Sequence, residues 1–590
     1  MEGGGGVTAR EDRRIGAMNR LHARLSGLTR PARAFVSQPE PRSVGLAARG
    51  RQIMAGNFPF AGHLVQSPDR SIWDLDMPSH EFEDACHGFA WLDDLAAVGG
   101  GEAQDLARRW VWEWIARYGG GRGPGWTPDL TGRRLTRWVA HALFLLSGAE
   151  EKRSRAFFRS LGRQTVFLGR RWRAAAPGLP RFEALTGLVY AGLSLEGMDG
   201  RAPTAAAALA AECRMRVGED GGIETRNPEE LLEVLVLLVW ARRSLDEAER
   251  DIPAELEEAI GRVAATLRAL RHADGGLVRL HGGGRGREGR LDRALSESGA
   301  RPGGGGARMS GRAMGVARLA AGRTTLLVDA AAPPTGPASA QAHASTLAME
   351  LTSGRRPLVV SCGSGAPFGA DWRRAGRATP SHSVLEIEGH SSARLSAPVQ
   401  VGGRTEEWLQ DGPREVRGVV THGPDGPSFH GTHDGWRASH GLVHMRQLDL
   451  DPVGRGVIGE EVLSVLDTGD ADRFDDALTA SGLDGVPVSV RFHLHPDVSA
   501  EIDMGGAAVS LMPPSGEVWV FRHDGLADLT LEPSVYLEAW RLRPRGTLQI
   551  RLAMRVRDPL TRLRWSLAKA QDTPTYMRDY ATDETEEDMT

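Results

Sequence analysis

From about residue 80 to residue 272 apolar side chains recur every three or four positions, the period of a helix with one buried stripe. Phe82, Cys86, Phe89 and Leu92 fall on one such stripe, Leu106, Trp110 and Trp114 on a second, and Leu135, Trp138, Val139, Ala142 and Leu146 on a third. The same spacing predicts helices at about 184–195, 204–217, 229–244 and 254–271. Breaks rich in Gly and Pro, such as Gly119–Pro128 and Ala176–Pro180, separate several of these stretches, so the pattern is one of helical hairpins packed side by side. Between about 282 and 312 periodicity gives way to Gly and Arg, including Gly303 to Gly306, which marks a domain boundary or a long exposed loop. Beyond it the period becomes two. Thr324–Asp329, Leu347–Leu351, Leu358–Ser361, Val384–Ile387, Val488–His495, Val509–Met512 and Val518–Arg522 read as strands, and short strands with turns but no helices between them imply an antiparallel sandwich. The expected division is a flexible N-terminal arm over 1–50 with at most one short helix, a helical domain over 51–285, a Gly/Arg-rich linker or loop over 286–312, a β domain over 313–570 and an acidic tail over 571–590, disordered from Asp583 to Asp588.

Composition refines this picture. A chain of 590 residues is too long for one hydrophobic core, and 41% hydrophobic with 25% charged residues is ordinary for globular domains. A net charge of −4 gives no reason to expect a nucleic-acid partner. Nearly all basic residues are Arg, which reflects either genome composition or a need to grip carboxylates and sulfates with a planar, bidentate group. Cys86, Cys213 and Cys362 are an odd number with no pair at metal-ligand spacing, so neither a disulfide framework nor a zinc knuckle is indicated. The N-terminus lacks the apolar stretch of a secretory signal and no segment is apolar enough to span a membrane. A reducing, cytoplasmic compartment is expected; a periplasmic or envelope location requires a start other than Met1.

Several motifs sharpen the reading. Ala342-His343-Ala344-Ser345-Thr346-Leu347, Leu358 to Gly363 and Arg377-Ala378-Thr379-Pro380-Ser381-His382-Ser383 follow one another in order. His433-Asp434-Gly435-Trp436, Gly441 to Arg446, Gly459-Glu460-Glu461 and Arg491 to Pro496 come after them, and Asp129 to Arg134 and Asp220-Gly221-Gly222 through Arg226-Asn227-Pro228 lie in the helical half. Together these segments resemble the bacterial heparinase II/III family over roughly residues 50 to 570. The resemblance implies an α+β multidomain fold, an incomplete α/α toroid followed by an antiparallel β-sandwich. It also implies a polysaccharide lyase that cleaves a uronate-containing acidic polysaccharide or oligosaccharide by β-elimination.

That chemistry has three demands: the sugar carboxylate must be neutralised, a base must take the C5 proton, and an acid must protonate the leaving oxygen. Arg226 and Asn227, which the resemblance places at the toroid cleft, are the candidates for the carboxylate; Asn227 would equally cap the helix that starts beside it, with Pro228 in the favoured first turn. His343, His382 and His444 are the candidates for the proton steps, since imidazole titrates near neutrality. His343 and His382 also match positions that in some members help to bind zinc, with Ser361 where the family has a carboxylate. Otherwise each imidazole is a satisfied core group. His440 and His444 are expected to share one strand face, with His433-Asp434 in a turn beside it. Trp126, Trp138, Arg133, Arg134, Arg137 and His141 are candidates for sugar subsites, with a solvated helix start as the plain alternative for Arg133 and Arg134.

Three departures favour a rival, a catalytically impaired carbohydrate-binding protein on the lyase fold. Ile223 stands where the family often has His, Ser361 replaces a carboxylate, and no tyrosine takes the place of the family's base, Tyr190 lying in an apolar segment that reads as core. A glycoside hydrolase would need two flanking carboxylates, for which Asp220 and Glu224 are the nominees.

Overall fold

The computed structural model describes residues 4–29, 32–37, 40–301, 311–402, 404–482, 484–539 and 541–572; the Gly303 to Gly306 run and the Asp583–Asp588 stretch lie outside them. Helices fill the first half. The predicted ones are observed at Leu179–Ser194, Ala202–Arg216, Pro228–Glu247 and Ala254–Ala269, beside Gly100–Arg117, Pro128–Ala140 and Glu151–Arg171. Their apolar stripes meet in one core built around Trp91, Trp110, Trp114 and Trp138, all nearly or fully buried. Cys86 and Cys213 are buried free thiols in the same core, and Cys362 is buried in the β half. Residues from seven helices line a single central cavity, so the array closes into a toroid.

The second half is two antiparallel sheets face to face. One runs in the order Val416–Gly423, Gly426–Trp436, Leu442–Leu450, Gly456–Ser464, Leu560–Gln571, Val518–His523, Ala508–Met512, Ser499–Asp503. The other runs Asp528–Tyr536, Arg545–Val556, Val486–Leu494, Arg356–Val360, Met349–Ser353, Thr324–Asp329, Val316–Ala321, Arg312–Ala313, with Leu385–Ile387 also paired to Val486–Leu494. Alternate residues turn inward, so Val490, Phe492 and Leu552 of one sheet meet Phe429, Trp519 and Trp565 of the other. The helical core does not stop at the boundary: Met314, Val316 and Leu327 of the β half belong to it.

Two expectations change in part. The helix of the N-terminal arm is not short: Gly4–Leu25 runs for 22 residues and packs on Glu151–Arg171 with Asn19 and Ala23 buried and Arg171 donating to the Asn19 side chain at 2.8 Å. The linker contains a helix at Arg290–Ser298, bracketed by Gly289 and Gly299 at φ 70° and 65°. It forms because Leu291, Ala294 and Leu295 fall on one face and are buried against the toroid, while Arg290 pairs with Glu233 and Asp292 with Arg271. Glycine richness hid this short amphipathic pattern.

Candidate functional site

Where toroid and sandwich meet, four of the sequence candidates converge. Asn227 ends the loop before Pro228–Glu247, and its Oδ1 accepts from the N–H groups of Glu229 and Glu230 at 2.9 and 3.1 Å. The capping role is therefore real. Gly282 and Gly283 pass directly over Asn227: a Cβ on Gly283 would sit 2.6 Å from its Oδ1. The N–H of Gly282 donates to His343 Nε2 at 3.0 Å, which connects the Asn227 loop to the β half within one residue. His343 and His382 rings are 4.9 Å apart between centroids.

His281, which the sequence reading did not single out, completes the cluster. Its Nδ1 accepts from the N–H of His343 at 3.3 Å, its ring centroid is 6.2 Å from that of His343, and its Nε2 lies 3.3 Å from the Asp329 carboxylate. Both His281 and Arg226 hold left-handed backbone, at φ 50° and 52°, the kind of strain that collects at functional positions. The sequence offered little signal for His281, because it lies in a Gly-rich stretch without periodicity.

Burial dominates the chemistry here. His281, His343 and His382 are at most 1% exposed. Burial, and then the neighbouring imidazoles, hold His343 well below the ordinary histidine range, and burial followed by His281 brings His382 down to about 4. Neutral imidazoles can accept a proton. They cannot neutralise a sugar carboxylate.

Arg226 does not serve as a free anion grip. Its guanidinium donates to Asp329 Oδ1 and to the carbonyls of Met314, Ala331 and Ala332 at 2.5 to 3.1 Å, clasping toroid to sandwich. Burial opposes ionisation of Asp329, yet Arg226 and then His281 outweigh it and hold the carboxyl well below its usual range. A further donor to it is Ser345 Oγ at 2.8 Å.

Other candidates are placed elsewhere. His444 lies in the sandwich core, fully buried, with Nε2 2.8 Å from Glu461 and Nδ1 3.2 Å from His433. Arg446 binds the same Glu461 and reaches the carbonyls of Leu347 and Ser383, in the turns that lead into strands of the opposite sheet. This network ties the sheets together and has no route to a sugar. His440 ends a short helix, Arg437–His440, so the shared strand face with His444 does not exist; His433 is a strand residue directly opposite His444.

Arg134 is fully buried, donating to Gln164 and to the carbonyls of His87 and Gly125 with its guanidinium over Trp114, and burial lowers it to about 9. Trp126 is 2% exposed, its Nε1 donating to the Tyr118 carbonyl. Both are core, because the helix start they occupy packs inward, and Trp138 and Tyr190 are core as well. His141 pairs at 2.8 Å with Asp93, which also binds Arg137. Asp220 accepts from the N–H groups of Gly222 and Met314, while Glu224 pairs with Arg216 at the surface, so neither is available as a hydrolase acid.

The donor set around His343 and His382 does not fit zinc. Two imidazoles and the Ser361 hydroxyl fall short of a zinc ligand set, and among the described residues no three His, Cys, Asp or Glu side chains gather to hold a metal.

The open volume lies in the toroid. A cavity of about 910 Å³ begins beside Glu233, about 9 Å of helix rise beyond Asn227, and follows that helix to Trp240. Arg133, Arg137 and Glu183 form one wall and the loop carrying Arg287 another. Arg133 pairs with Glu183 at 2.7 Å, but burial outweighs that partner and pushes the Glu183 carboxyl up to about 7.

Comparison with known proteins accords with this architecture. The family model of the heparinase II/III-like C-terminal domain matches residues 304–566. FtsZ-localized protein C from Caulobacter vibrioides is 32% identical over 564 residues, covering 93% of this chain and 92% of the relative. Crystal structures of heparinase III and of a heparan sulfate lyase mutant from Pedobacter heparinus share the fold at 13% and 12% identity, with TM-scores of 0.65 and 0.57. They cover 97% and 95% of this chain, and 92% and 89% of their own.

Proposed function

This chain belongs to the heparinase II/III-like family, and from that premise we propose that it binds an acidic, uronate-containing oligosaccharide or polysaccharide in the toroid cavity and holds it without cleaving it. One observation carries the reading: the accessible volume is lined by arginines, carboxylates and a tryptophan, whereas His281, His343 and His382 at the domain boundary are buried, and burial lowers the pKa of each. Arginine pairs bidentately with carboxylates, and an indole face stacks on a sugar ring. A volume of this size takes a ligand of a few sugar units.

β-Eliminative cleavage is the second reading, favoured by the meeting of Asn227, His281 and His343 at one point. There Asn227 would hold the sugar carboxylate and a neutral imidazole would take the C5 proton, after Gly282–Gly284 lifted away from Asn227. Incubation with a panel of uronate polymers separates the two. We expect saturable binding by calorimetry with no rise in the ultraviolet absorbance of unsaturated uronate. Accumulating absorbance would transfer the assignment to the lyase reading, and an absence of binding across the panel would remove both.

The Caulobacter relative is named for its placement with FtsZ. We carry that placement to this chain as its cellular setting. A fluorescent fusion expressed in its host should then coincide with labelled FtsZ, and an even distribution through the cell would refute the transfer.

A further inference from the structure

We infer that Arg287 is the anion-recognising side chain of the toroid cavity, taking the carboxylate or sulfate of an acidic oligosaccharide; the inference rests on the cavity-binding reading above and assigns its specificity. The wall of the cavity is rich in arginine, but most of that charge is already engaged. Arg49 faces Asp94, Arg133 faces Glu183, Arg137 faces Asp93 and Arg290 faces Glu233, each within ion-pair distance, and the remaining wall arginines also have carboxylate partners. Among the described residues Arg287 is the one arginine of the wall whose guanidinium has neither an ion pair nor a hydrogen bond; only its backbone carbonyl is engaged, accepting from the Arg290 N–H. The two acids nearest in effect, Asp94 and Glu233, are held by Arg49 and Arg290. A half-buried guanidinium with no protein partner keeps its donors free for a ligand, and an incoming anion is the group best matched to them.

Its place in the chain fits the role. Arg287 stands between Gly286 and Gly289, both left-handed at φ 79° and 70°, in the loop that joins the toroid to the helix Arg290–Ser298. Nothing lies within 4 Å of where a Cβ on Gly289 would be, so the loop has room to reorient around a ligand. Arg287 reaches the cavity from one side while Trp240, on Pro228–Glu247, presents an indole within it, so charge and ring face are both available to one sugar chain. Repulsion from Arg290 and Arg49 further favours a bound anion over an empty cavity.

The test uses the full chain, with Arg287→Ala, Arg287→Lys and, as a control outside the cavity, Arg374→Ala, whose guanidinium pairs with Glu407 at 2.8 Å. Three tetrasaccharides serve as probes: an unsulfated glucuronate-containing one, a sulfated heparin-derived one and neutral chitotetraose. Arg287→Ala should weaken both acidic probes about tenfold or more and leave the neutral probe unchanged, as loss of one charged hydrogen-bonding group implies. Arg287→Lys should fall between, because lysine keeps the charge without the bidentate fork, and Arg374→Ala should stay within about twofold, as a half-exposed pair away from the cavity contributes little. Equal weakening of both acidic probes identifies the carboxylate as the recognised group; greater weakening of the sulfated one identifies the sulfate. Wild-type affinity in Arg287→Ala, or an equal loss in Arg374→Ala, overturns the inference while leaving cavity binding intact. Failure of the wild-type chain to bind either acidic probe defeats the cavity-binding reading itself.

Discussion

Arg226→Met is expected to destabilise the protein by about 3–5 kcal/mol, the usual penalty for removing one partner of a buried ion pair. Asp329, with no exposed surface, would keep its charge with only His281 and Ser345 beside it, and the carbonyls of Met314, Ala331 and Ala332 would lose their donor. Urea midpoints of wild type and variant measure this directly, and an unchanged midpoint would contradict the clasp. The double variant Arg226→Met/Asp329→Asn should recover part of the loss, because no stranded carboxylate remains. The pH dependence has a definite sign. Asp329 is depressed in the folded chain, so its contribution is complete above the unfolded carboxyl pKa of about 3.9 and fades as the pH falls below it. The gap between wild type and Arg226→Met should therefore be full at neutrality and shrink below about pH 4.

Ser361→Asp is expected to convert the buried histidine pair into a zinc site. Ser361 Oγ, His343 Nδ1 and both ring nitrogens of His382 are buried without a hydrogen-bond partner. Ser361 lies beside His382, since the next residue, Cys362, donates its N–H to the Ser381 carbonyl at 2.9 Å. A carboxylate there supplies the third ligand that two imidazoles and a hydroxyl lack. Elemental analysis should find the variant near one zinc per chain and the wild type far below it. At free zinc about a thousandfold above its dissociation constant the variant should gain about 4 kcal/mol, reversed by chelator. Equal zinc content in both proteins would refute the prediction.

The helical hairpins, the change of period near residue 312 and part of the strands, such as Thr324–Asp329 and Val486–Leu494, were legible because burial imposes a regular spacing on apolar residues, whereas Gly456–Ser464, Arg545–Val556, Leu560–Gln571 and the helices Ala370–Arg377 and Thr468–Ala480 were not read. The Asn227 cap was legible for the same local reason, Asn-Pro-Glu-Glu being a helix start in four residues. What spacing could not disclose was partnership across the chain. Arg226 looked like an available cation because Asp329, which holds it, is more than a hundred residues away. His444 looked like a catalytic imidazole because nothing local distinguishes a histidine clamped by Glu461 from one facing a groove. The His440–His444 spacing misled because the chain makes one short helical turn at Arg437–His440 before the strand begins. His281 was missed for the opposite reason, since glycines on its C-terminal side erased any pattern, although those same glycines let the backbone press onto Asn227.

The continuity of the helical core through Met314, Val316 and Leu327 bears on how such a chain could evolve. A C-terminal half detached near residue 304 would carry those three side chains bare to water, together with the stranded Asp329. Gene fusion or fission at that seam would therefore have to invent a new apolar covering. Inheritance of the two halves as one block, with drift confined to the cavity-lining positions, is the shorter evolutionary route.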